Sequence, residues 1–331
     1  MLSVVIPLFN KRSTIQRALD SVLSQTVAPT EIIVVNDGST DGSGEVARAM
    51  GPRVRVIDQS NRGVSAARNT GIEAASGPLI AFLDADDWWQ PGFLARIGEM
   101  VDRYPDSVLY GTGFTTFAKG KVTGPYGVRP QDLPRSAARQ PLPFGPVNAF
   151  DAWRHGHSLH PSSMVVPKVA AQAVGGFPEG VSIGEDFIFW CKLALAGSFV
   201  LSPEALAVHD VGVPGQLSEY WKLEYRQTLE VLAYHRFLVD TLCTGQGGEA
   251  FRRHVQRELR FVLLQRIYRG RFDALERCWQ ELGLSEHRLG LTIRGCGWLA
   301  GHRAFQPPVG ALMRLVRRFR CQADEGQGDA K

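Results

Sequence analysis

Strand and helix patterns alternate along the first quarter of the chain, and this alternation limits the folds that the chain can adopt. Strand patterns cover residues 2–8, 31–35, 54–57 and 78–83, and apolar spacing typical of helices covers residues 14–24, 43–50 and 64–75. Strands and helices that alternate at this spacing form βαβ units around a mostly parallel sheet. We therefore predict an α/β fold whose ligands bind beyond the carboxyl ends of the strands.

Three carboxylates directly follow the fourth strand pattern. The apolar run at residues 78–83 leads into Asp84, Asp86 and Asp87, and a strand of this kind is normally buried on both faces. Clustered negative charge at its end is costly unless a cation lies beside it. The cluster therefore indicates a divalent cation with oxygen ligands, some of them supplied by a bound phosphate. A solvated, Asp-rich turn before the next helix is the alternative interpretation.

Polar side chains also stand at the ends of other predicted elements. Asp37 follows the second strand pattern, Arg68 lies on the third helix pattern, and Glu185 and Asp186 open an apolar helix pattern. An arginine in this place can hold a nucleotide phosphate through two hydrogen bonds, and a surface ion pair is the alternative. The acidic pair suits the helix dipole, and Asp186 is in addition a candidate general base. We expect Trp190, on the same helix pattern, to be a core residue.

Charge is unevenly distributed along the chain. Residues 251–320 hold 15 Arg and no Lys against 5 acidic residues, whereas residues 1–250 hold 21 basic and 25 acidic residues. Basic amphipathic helices in this tail predict contact with an anionic membrane surface, and packing on the body with a solvated Arg face is the alternative. No nucleic-acid recognition motif accompanies the charge, so we expect no nucleic-acid partner.

The composition and the N-terminus favour a cytoplasmic protein. Residues 1–7 have the pattern of a strand rather than of a signal peptide, and no apolar run reaches the ~20 residues that span a bilayer. The five cysteines are scattered without metal-ligand spacing, and we expect them to be reduced thiols. We expect a peripheral position on the cytoplasmic face of the inner membrane where the basic tail binds it.

Five sequence blocks stand in order along the chain, namely VVIPLFN at residues 4–10, VNDGSTD at 35–41, NRG at 61–63 with ARN at 67–69, FLDADD at 82–87 and GED at 184–186. Together they resemble the family 2 glycosyltransferases of the GT-A fold, of the type that builds bacterial cell-surface polysaccharide and lipopolysaccharide. The resemblance covers residues 2–212. It implies a Rossmann-like, mostly parallel sheet flanked by helices. It also implies a catalytic domain at 1–215 (nucleotide-sugar-binding half 1–118, acceptor half 119–215) and a basic helical C-terminal extension at 216–331.

The resemblance also implies an activity and roles for individual residues. Asp186 would be the catalytic base of an inverting hexosyl- or N-acetylhexosaminyltransferase. This enzyme would move a sugar from a nucleotide-sugar, typically a UDP-sugar, to a glycan or lipid-linked glycan. Asp86 and His209 would bind Mn²⁺ or Mg²⁺. The residues that would contact the nucleotide-sugar are Pro7, Asn10, Asp37, Arg68, Asp84 and Glu185.

Two other classes of protein stay open at this point. A nucleotidyltransferase also uses metal bound to Asp, but it usually has a Gly-rich loop with Arg and Lys after the first strand, where residues 8–12 read LFNKR. A non-catalytic sugar-nucleotide-binding scaffold is the other alternative. We further expect residues 119–147, which are rich in Pro and Gly, to be a long irregular lid or loop. His160, close to this segment, is expected to be structural.

Overall fold

The structure, a computed structural model, describes residues 2–135, 143–149, 159–180 and 184–213. These residues belong to one compact unit, Met1–Leu223. The expected C-terminal extension at 216–331 lies outside the described residues, so its helices and its membrane contact stay predictions. Within the described ranges, no helix combines the length and the apolar character needed to cross a membrane.

The described strands form one mixed sheet of ten strands. They are β1 (Leu2–Leu8), β2 (Glu31–Asp37), β3 (Val54–Gln59), β4 (Leu79–Phe82), β5 (Trp88–Trp89), β6 (Leu109–Ala118), β7 (Lys121–Tyr126), β8 (Gly145–Val147), β9 (Met164–Pro167) and β10 (Phe199–Asp210). Their spatial order is β3-β2-β1-β4-β9-β6-β10-β5, with β7 beside β6 and β8 beside β10. The four strands β3, β2, β1 and β4 are parallel, whereas β9 is antiparallel to both of its neighbours. The predicted α/β fold is confirmed.

Helices flank the sheet, and four of them lie where the apolar spacing predicts them. They are α1 (Ile15–Leu23), α2 (Ser43–Ala49), α3 (Val64–Ala74), α4 (Phe93–Arg103), α5 (Lys168–Ala173) and α6 (Glu185–Ala196). In α1 the buried residues are Ile15, Ala18, Leu19 and Val22, which is the spacing of a single helix face. This face packs into the same apolar core as Val4, Ile6 and Leu8 of β1. Because these apolar faces are buried in the core, the polar residues at the ends of the strands and helices lie at the edge of the sheet.

The structure corrects one prediction about residues 119–147. This segment is not irregular throughout, because it contains β7, a 3₁₀ turn at Pro130–Asp132 and β8. Strand β7 pairs with β6 and exposes all six of its residues. The one proline within β7, Pro125, lies at an irregularity in the pairing with β6, and proline is tolerated at such places, so this sequence still forms a strand.

Two further expectations about individual residues can be compared with the fold. Trp190 is 1% exposed and lies in the core, as expected. His209, which is expected to bind the metal ion, lies on β10 next to its last residue, Asp210.

Candidate active site

The carboxyl ends of β1, β2 and β4 meet at one edge of the sheet. The register pairs Leu8 with Asn36 between β1 and β2, and Val5 with Phe82 between β1 and β4. The polar residues that end or follow these strands therefore lie along the same edge, as predicted from the parallel arrangement.

The residues after β4 form a tight turn around one buried carboxylate. Asp87 is fully buried, and its backbone N–H donates to the Asp84 carbonyl at 3.0 Å. Its carboxylate accepts hydrogen bonds from the Ser162 hydroxyl and from the Asp210 backbone N–H, the latter at 3.0 Å. Burial, together with the charges of Asp84 and Asp86, raises the pKa of Asp87 well above its usual range. This turn is thus a concentration of negative charge that favours a cation.

Two basic side chains from the first helical region meet this turn at Asp86. The Lys11 ammonium lies 2.9 Å from Asp86 Oδ2. Arg17, on α1, donates through Nη2 to the Asp86 carbonyl at 2.6 Å and to Asp210 Oδ2 at 2.7 Å. Its guanidinium also lies over the Trp88 ring, 4.1 Å from the ring centre. Lys11 and Arg17 therefore balance part of the negative charge of the turn after β4.

Arg68 joins the two acidic segments. It lies on α3, is 2% exposed, and donates through Nη2 to Asp84 Oδ1 at 2.8 Å and through Nη1 to Glu185 Oε1 at 2.9 Å. Burial opposes its charge, but Asp84 and Glu185 outweigh this effect and raise the pKa of Arg68 above its usual range. One guanidinium thus places the FLDADD and GED segments side by side.

The acidic pair at the start of α6 has perturbed proton affinities. Burial, followed by the charge of Asp186, raises the pKa of Glu185 to about 7. Burial is also the main cause that raises the pKa of Asp186, and Arg68 opposes it. Asp186 accepts a hydrogen bond from the backbone N–H of Phe187 at 2.7 Å. A half-buried carboxylate with a raised pKa at the edge of a polar site is suited to accept a proton.

Two stacked histidines complete this part of the edge. The rings of His160 and His209 lie 4.1 Å apart between their centres, and His160 Nδ1 is 3.5 Å from Asp87 Oδ2. Burial lowers the pKa of both rings, so each is a neutral imidazole near pH 7. Neutral imidazole is the form that binds metals.

Several of these groups can together hold a metal ion. Asp84, Asp87 and His160 offer ligand atoms that all lie within 4.8 Å of one another. Carboxylate oxygen with imidazole nitrogen is a donor set that fits Mn²⁺, and the carboxylates also fit Mg²⁺. Asp86 and His209, the ligands that the sequence predicts, are the immediate neighbours of this cluster.

The predicted base-binding residue, Asp37, holds a loop in this structure. It is 3% exposed and accepts hydrogen bonds from Gln59 Nε2 at 2.7 Å, from the Arg62 N–H at 2.9 Å and from the Gly63 N–H at 2.8 Å. The carboxylate therefore fixes the NRG segment that leads into α3.

The other two residues expected at the nucleotide differ in position. Asn10 follows β1 and accepts a hydrogen bond through Oδ1 from the Thr40 N–H at 2.9 Å, so it joins the loops after β1 and β2. Pro7 is buried within β1 opposite Val35. Asn10 thus lies at the edge of the sheet, whereas Pro7 is buried three residues earlier, within the strand itself.

Several residues of the site were not among the predicted ones. His160 was expected to be structural, and Ser162, Lys11 and Arg17 were not singled out. No local sequence pattern predicts that Ser162 or Arg17 belongs to the site, because the partner of each lies far away in the sequence. For Lys11 a signal existed, since it is a basic residue directly after the first strand motif.

A family model matches the N-terminal part of the chain. Residues 3–157 match the family model described as "Glycosyl transferase family 2". This part of the chain belongs to glycosyl transferase family 2. The glycosyltransferase EpsJ of Bacillus subtilis is 41% identical over 117 residues, which cover 34% of this chain and 34% of that protein. The glycosyltransferase GlyA of Streptococcus pneumoniae is 37% identical over 117 residues, which cover 34% of this chain and 17% of that protein.

A longer but weaker match extends the similarity to the family. A glycosyltransferase of Rickettsia typhi is 28% identical over 259 residues, which cover 72% of this chain and 78% of that protein. By contrast, the chain spans about a third or less of the length of EpsJ and GlyA. The family assignment therefore rests on residues 3–157.

Solved structures show the same fold. Residues 1–349 of Staphylococcus aureus TarS, in complex with UDP-GlcNAc, match with a TM-score of 0.55 at 19% identity, over 74% of each chain. The mannosyltransferase PcManGT of Pyrobaculum calidifontis, in complex with GDP-Man and Mn²⁺, matches with a TM-score of 0.54 at 18% identity, over 95% of this chain and 84% of that one. The GT-A fold expected from the sequence is confirmed.

Proposed function

We propose that this chain is an inverting, metal-dependent glycosyltransferase of bacterial cell-surface glycan synthesis. The observation that carries the proposal is Arg68, which binds Asp84 and Glu185 at once and so holds the acidic turn next to Asp186. Glycosyl transfer needs a cation site for the departing diphosphate and a base for the attacking hydroxyl. Carboxylates suited to both roles lie at this edge of the sheet, which supports the proposal.

The proposed donor is a nucleotide-sugar, with a UDP-sugar as the first choice. Complexes of the two structural relatives contain UDP-GlcNAc and GDP-Man, which supports a hexose or N-acetylhexosamine donor. The nucleotide would lie where β1 and β2 end, near Asn10 and Asp37. A carboxylate has about four acceptor positions, so Asp37 can receive a base N–H in addition to its loop hydrogen bonds. Pro7 would shape this pocket from within the sheet.

The proposed cofactor is Mn²⁺ or Mg²⁺, held by Asp86 and His209. The neighbouring Asp84, Asp87 and His160 add donor atoms of the same chemical kind. A bound divalent ion supplies Lewis-acid stabilisation of negative charge on a departing diphosphate.

Asp186 is proposed as the base. The acceptor hydroxyl oxygen forms a bond to the anomeric carbon while the bond from this carbon to the diphosphate oxygen breaks. The hydroxyl proton moves to the Asp186 carboxylate, and the electron pair of the broken bond leaves with the diphosphate. A single displacement of this kind inverts the anomeric centre. The raised pKa of Asp186 brings its proton affinity closer to that needed near neutral pH.

The proposed acceptor is a glycan or a lipid-linked glycan bound along residues 119–215. The basic tail supports a lipid-linked acceptor, because 15 Arg within residues 251–320 favour an anionic membrane surface. The enzyme would then work on the cytoplasmic face of the inner membrane.

Release of nucleoside diphosphate tests the proposal. UDP-, dTDP- and GDP-sugars are incubated with the protein and Mn²⁺ or Mg²⁺, with and without EDTA. We expect hydrolysis of one donor that EDTA and Asp86→Ala abolish. Asp186→Asn should lower turnover by about 10²–10⁴-fold, because the base is lost while the shape of the side chain is kept. Binding of the nucleoside diphosphate to Asp186→Asn should be close to wild type.

A matched variant controls for the loss of a carboxylate. Asp102 is exposed near the end of α4, at the opposite edge of the sheet, and Asp102→Asn should turn over like the wild type. Near-normal turnover of folded Asp186→Asn would show that another group is the base. Donor binding without metal dependence, and without hydrolysis of any donor, would favour the scaffold interpretation.

A further inference from the structure

Lys11 occupies an unusual place for a lysine. It lies three residues after the end of β1, and its ammonium lies 2.9 Å from Asp86 Oδ2, with only 16% of its own side chain and 12% of the Asp86 side chain exposed. Asp86 is the carboxylate that we assign to the metal ion. A positive charge therefore already stands at the proposed ion-binding carboxylate.

The backbone at this place is fixed from both sides. Asn10 has a positive φ of 50°, and it is bound to the next loop through the Ser39 hydroxyl at 3.1 Å and the Thr40 N–H at 2.9 Å. The Lys11 carbonyl accepts the N–H groups of Thr14 and Ile15 at the start of α1, at 3.1 and 3.0 Å. Because the main chain is held in this way, the flexible side chain of Lys11 is the part that can change partner.

The two arginines near the acidic turn are held more firmly than Lys11. Arg68 binds a different carboxylate through each Nη atom, and its side chain is 3% exposed. Arg17 bridges a backbone carbonyl and Asp210, and it is also stacked on Trp88. A lysine ammonium is a compact charge on a four-carbon stem, which makes Lys11 the cation best able to leave its carboxylate.

We propose that Lys11 is a donor-binding residue that exchanges partners during the reaction cycle. Without donor, its ammonium neutralises Asp86. When the metal ion binds at Asp86, the ammonium moves to the diphosphate of the nucleotide-sugar and adds a positive charge to the leaving group. The inference rests on the proposed function, since it assigns a further residue to the same site. Lysine is an established binder of phosphate groups as a point charge.

The exchange has opposite consequences for two binding equilibria. Removing the ammonium relieves a repulsion, so the metal ion alone should bind more tightly to the free protein. It also removes a charge-assisted hydrogen bond to phosphate, so a nucleoside diphosphate should bind more weakly once the metal is saturating. A lysine with a merely structural role would weaken both equilibria when it is removed, because the site would lose its shape.

The test measures both equilibria on the full chain. Binding of Mn²⁺ alone is followed by the electron paramagnetic resonance of free Mn²⁺, and binding of UDP or GDP at saturating Mn²⁺ is followed by calorimetry. For Lys11→Met we expect Mn²⁺ to bind about tenfold more tightly and the diphosphate about tenfold more weakly. Lys11→Gln, a second neutral variant, should give the same pattern. Lys11→Arg keeps the charge at Asp86, so Mn²⁺ should bind no more tightly to this variant than to wild type.

Lys121→Met serves as the matched control, because Lys121 is exposed on β7. Unchanged constants in both neutral variants, or a loss of affinity in both equilibria, would overturn the role of Lys11. A wild-type protein that binds neither Mn²⁺ nor a nucleoside diphosphate would instead overturn the proposed function itself. The two failures are therefore distinguishable.

Discussion

At the scale of single residues, the site is dominated by carboxylates that outnumber the cations beside them. Glu185 illustrates the consequence. It shares Arg68 with Asp84, and burial still raises its pKa to about 7. The free-energy cost of burying the Glu185 charge thus exceeds the stabilisation that this charge gains from an arginine shared with Asp84. In the proposed function Glu185 serves nucleotide-sugar binding, so we infer that it is kept for the site rather than for stability.

The raised pKa predicts how stability depends on pH. The folded protein keeps the Glu185 proton up to about pH 7, whereas the unfolded chain releases it near 4.5. The stabilising contribution of this proton is therefore complete below pH 4.5 and is lost as the pH rises towards 7. In Glu185→Gln this loss is absent. The free energy of unfolding of the variant relative to wild type should thus rise across this window, by up to about 1.4 kcal/mol per pH unit.

Urea unfolding at several pH values measures this difference. Glu45→Gln, at an exposed position on α2, is the control and should follow the wild type at every pH. If the curves of Glu185→Gln and wild type run parallel through the window, Glu185 does not carry the proton that we assign to it.

At the scale of elements, the position of Arg68 depends on how closely α3 approaches β1. A β carbon at Gly71 of α3 would overlap Val5 Cγ1 and lie 2.9 Å from Val5 Cγ2. The absence of a side chain at Gly71 therefore lets the helix lie against the strand. Arg68, one turn earlier on the same helix, reaches Asp84 and Glu185 from this position.

We predict that Gly71→Ala destabilises the protein by about 1–3 kcal/mol, because the added methyl group overfills a packed contact between α3 and β1. Gly98→Ala is the matched control. Gly98 lies within α4, and, apart from its chain neighbours and the backbone of its own helix, no atom in the described ranges lies within 4 Å of a β carbon built there. This substitution should stabilise the protein by about 0.5–1 kcal/mol through helix propensity alone. Thermal or urea unfolding measures the change in stability of both variants. Equal effects of the two substitutions would rule out the close approach of α3 to β1.

At the scale of the whole molecule, charge is separated between an acidic body and a basic tail. We predict that the full chain binds vesicles that contain phosphatidylglycerol and that salt weakens this binding, because screening shortens the range of the attraction. Changing four tail arginines to Gln should lower vesicle affinity at least about tenfold. These residues are Arg314, Arg317, Arg318 and Arg320.

The control removes the same charge from the body. It changes four exposed arginines to Gln, namely Arg53, Arg55, Arg103 and Arg129. Cosedimentation with the vesicles compares the two sets of variants. Equal losses from both would mean that overall charge, rather than the tail, attracts the membrane.

The elements and the edge of the site could be predicted from the sequence because both depend on local patterns. The apolar spacing of α1 and the β-branched run of β2 specify which face is buried. The acids after β4 must lie at the carboxyl edge once the strands are parallel. The strand at β7 was missed, because the prolines of residues 119–147 indicate a loop, although the one proline within β7, Pro125, is compatible with an exposed strand.

By itself, therefore, the sequence determined the α/β class, the order of the first elements and the edge at which the acidic residues collect. Only the tertiary structure decided which charged groups meet there. Arg68 lies 117 residues from Glu185, and Arg17 lies 193 residues from Asp210. His160 contacts His209 in the same way, through packing between distant segments. Such pairs depend on how separate elements pack in space, and no local periodicity in the chain encodes that packing.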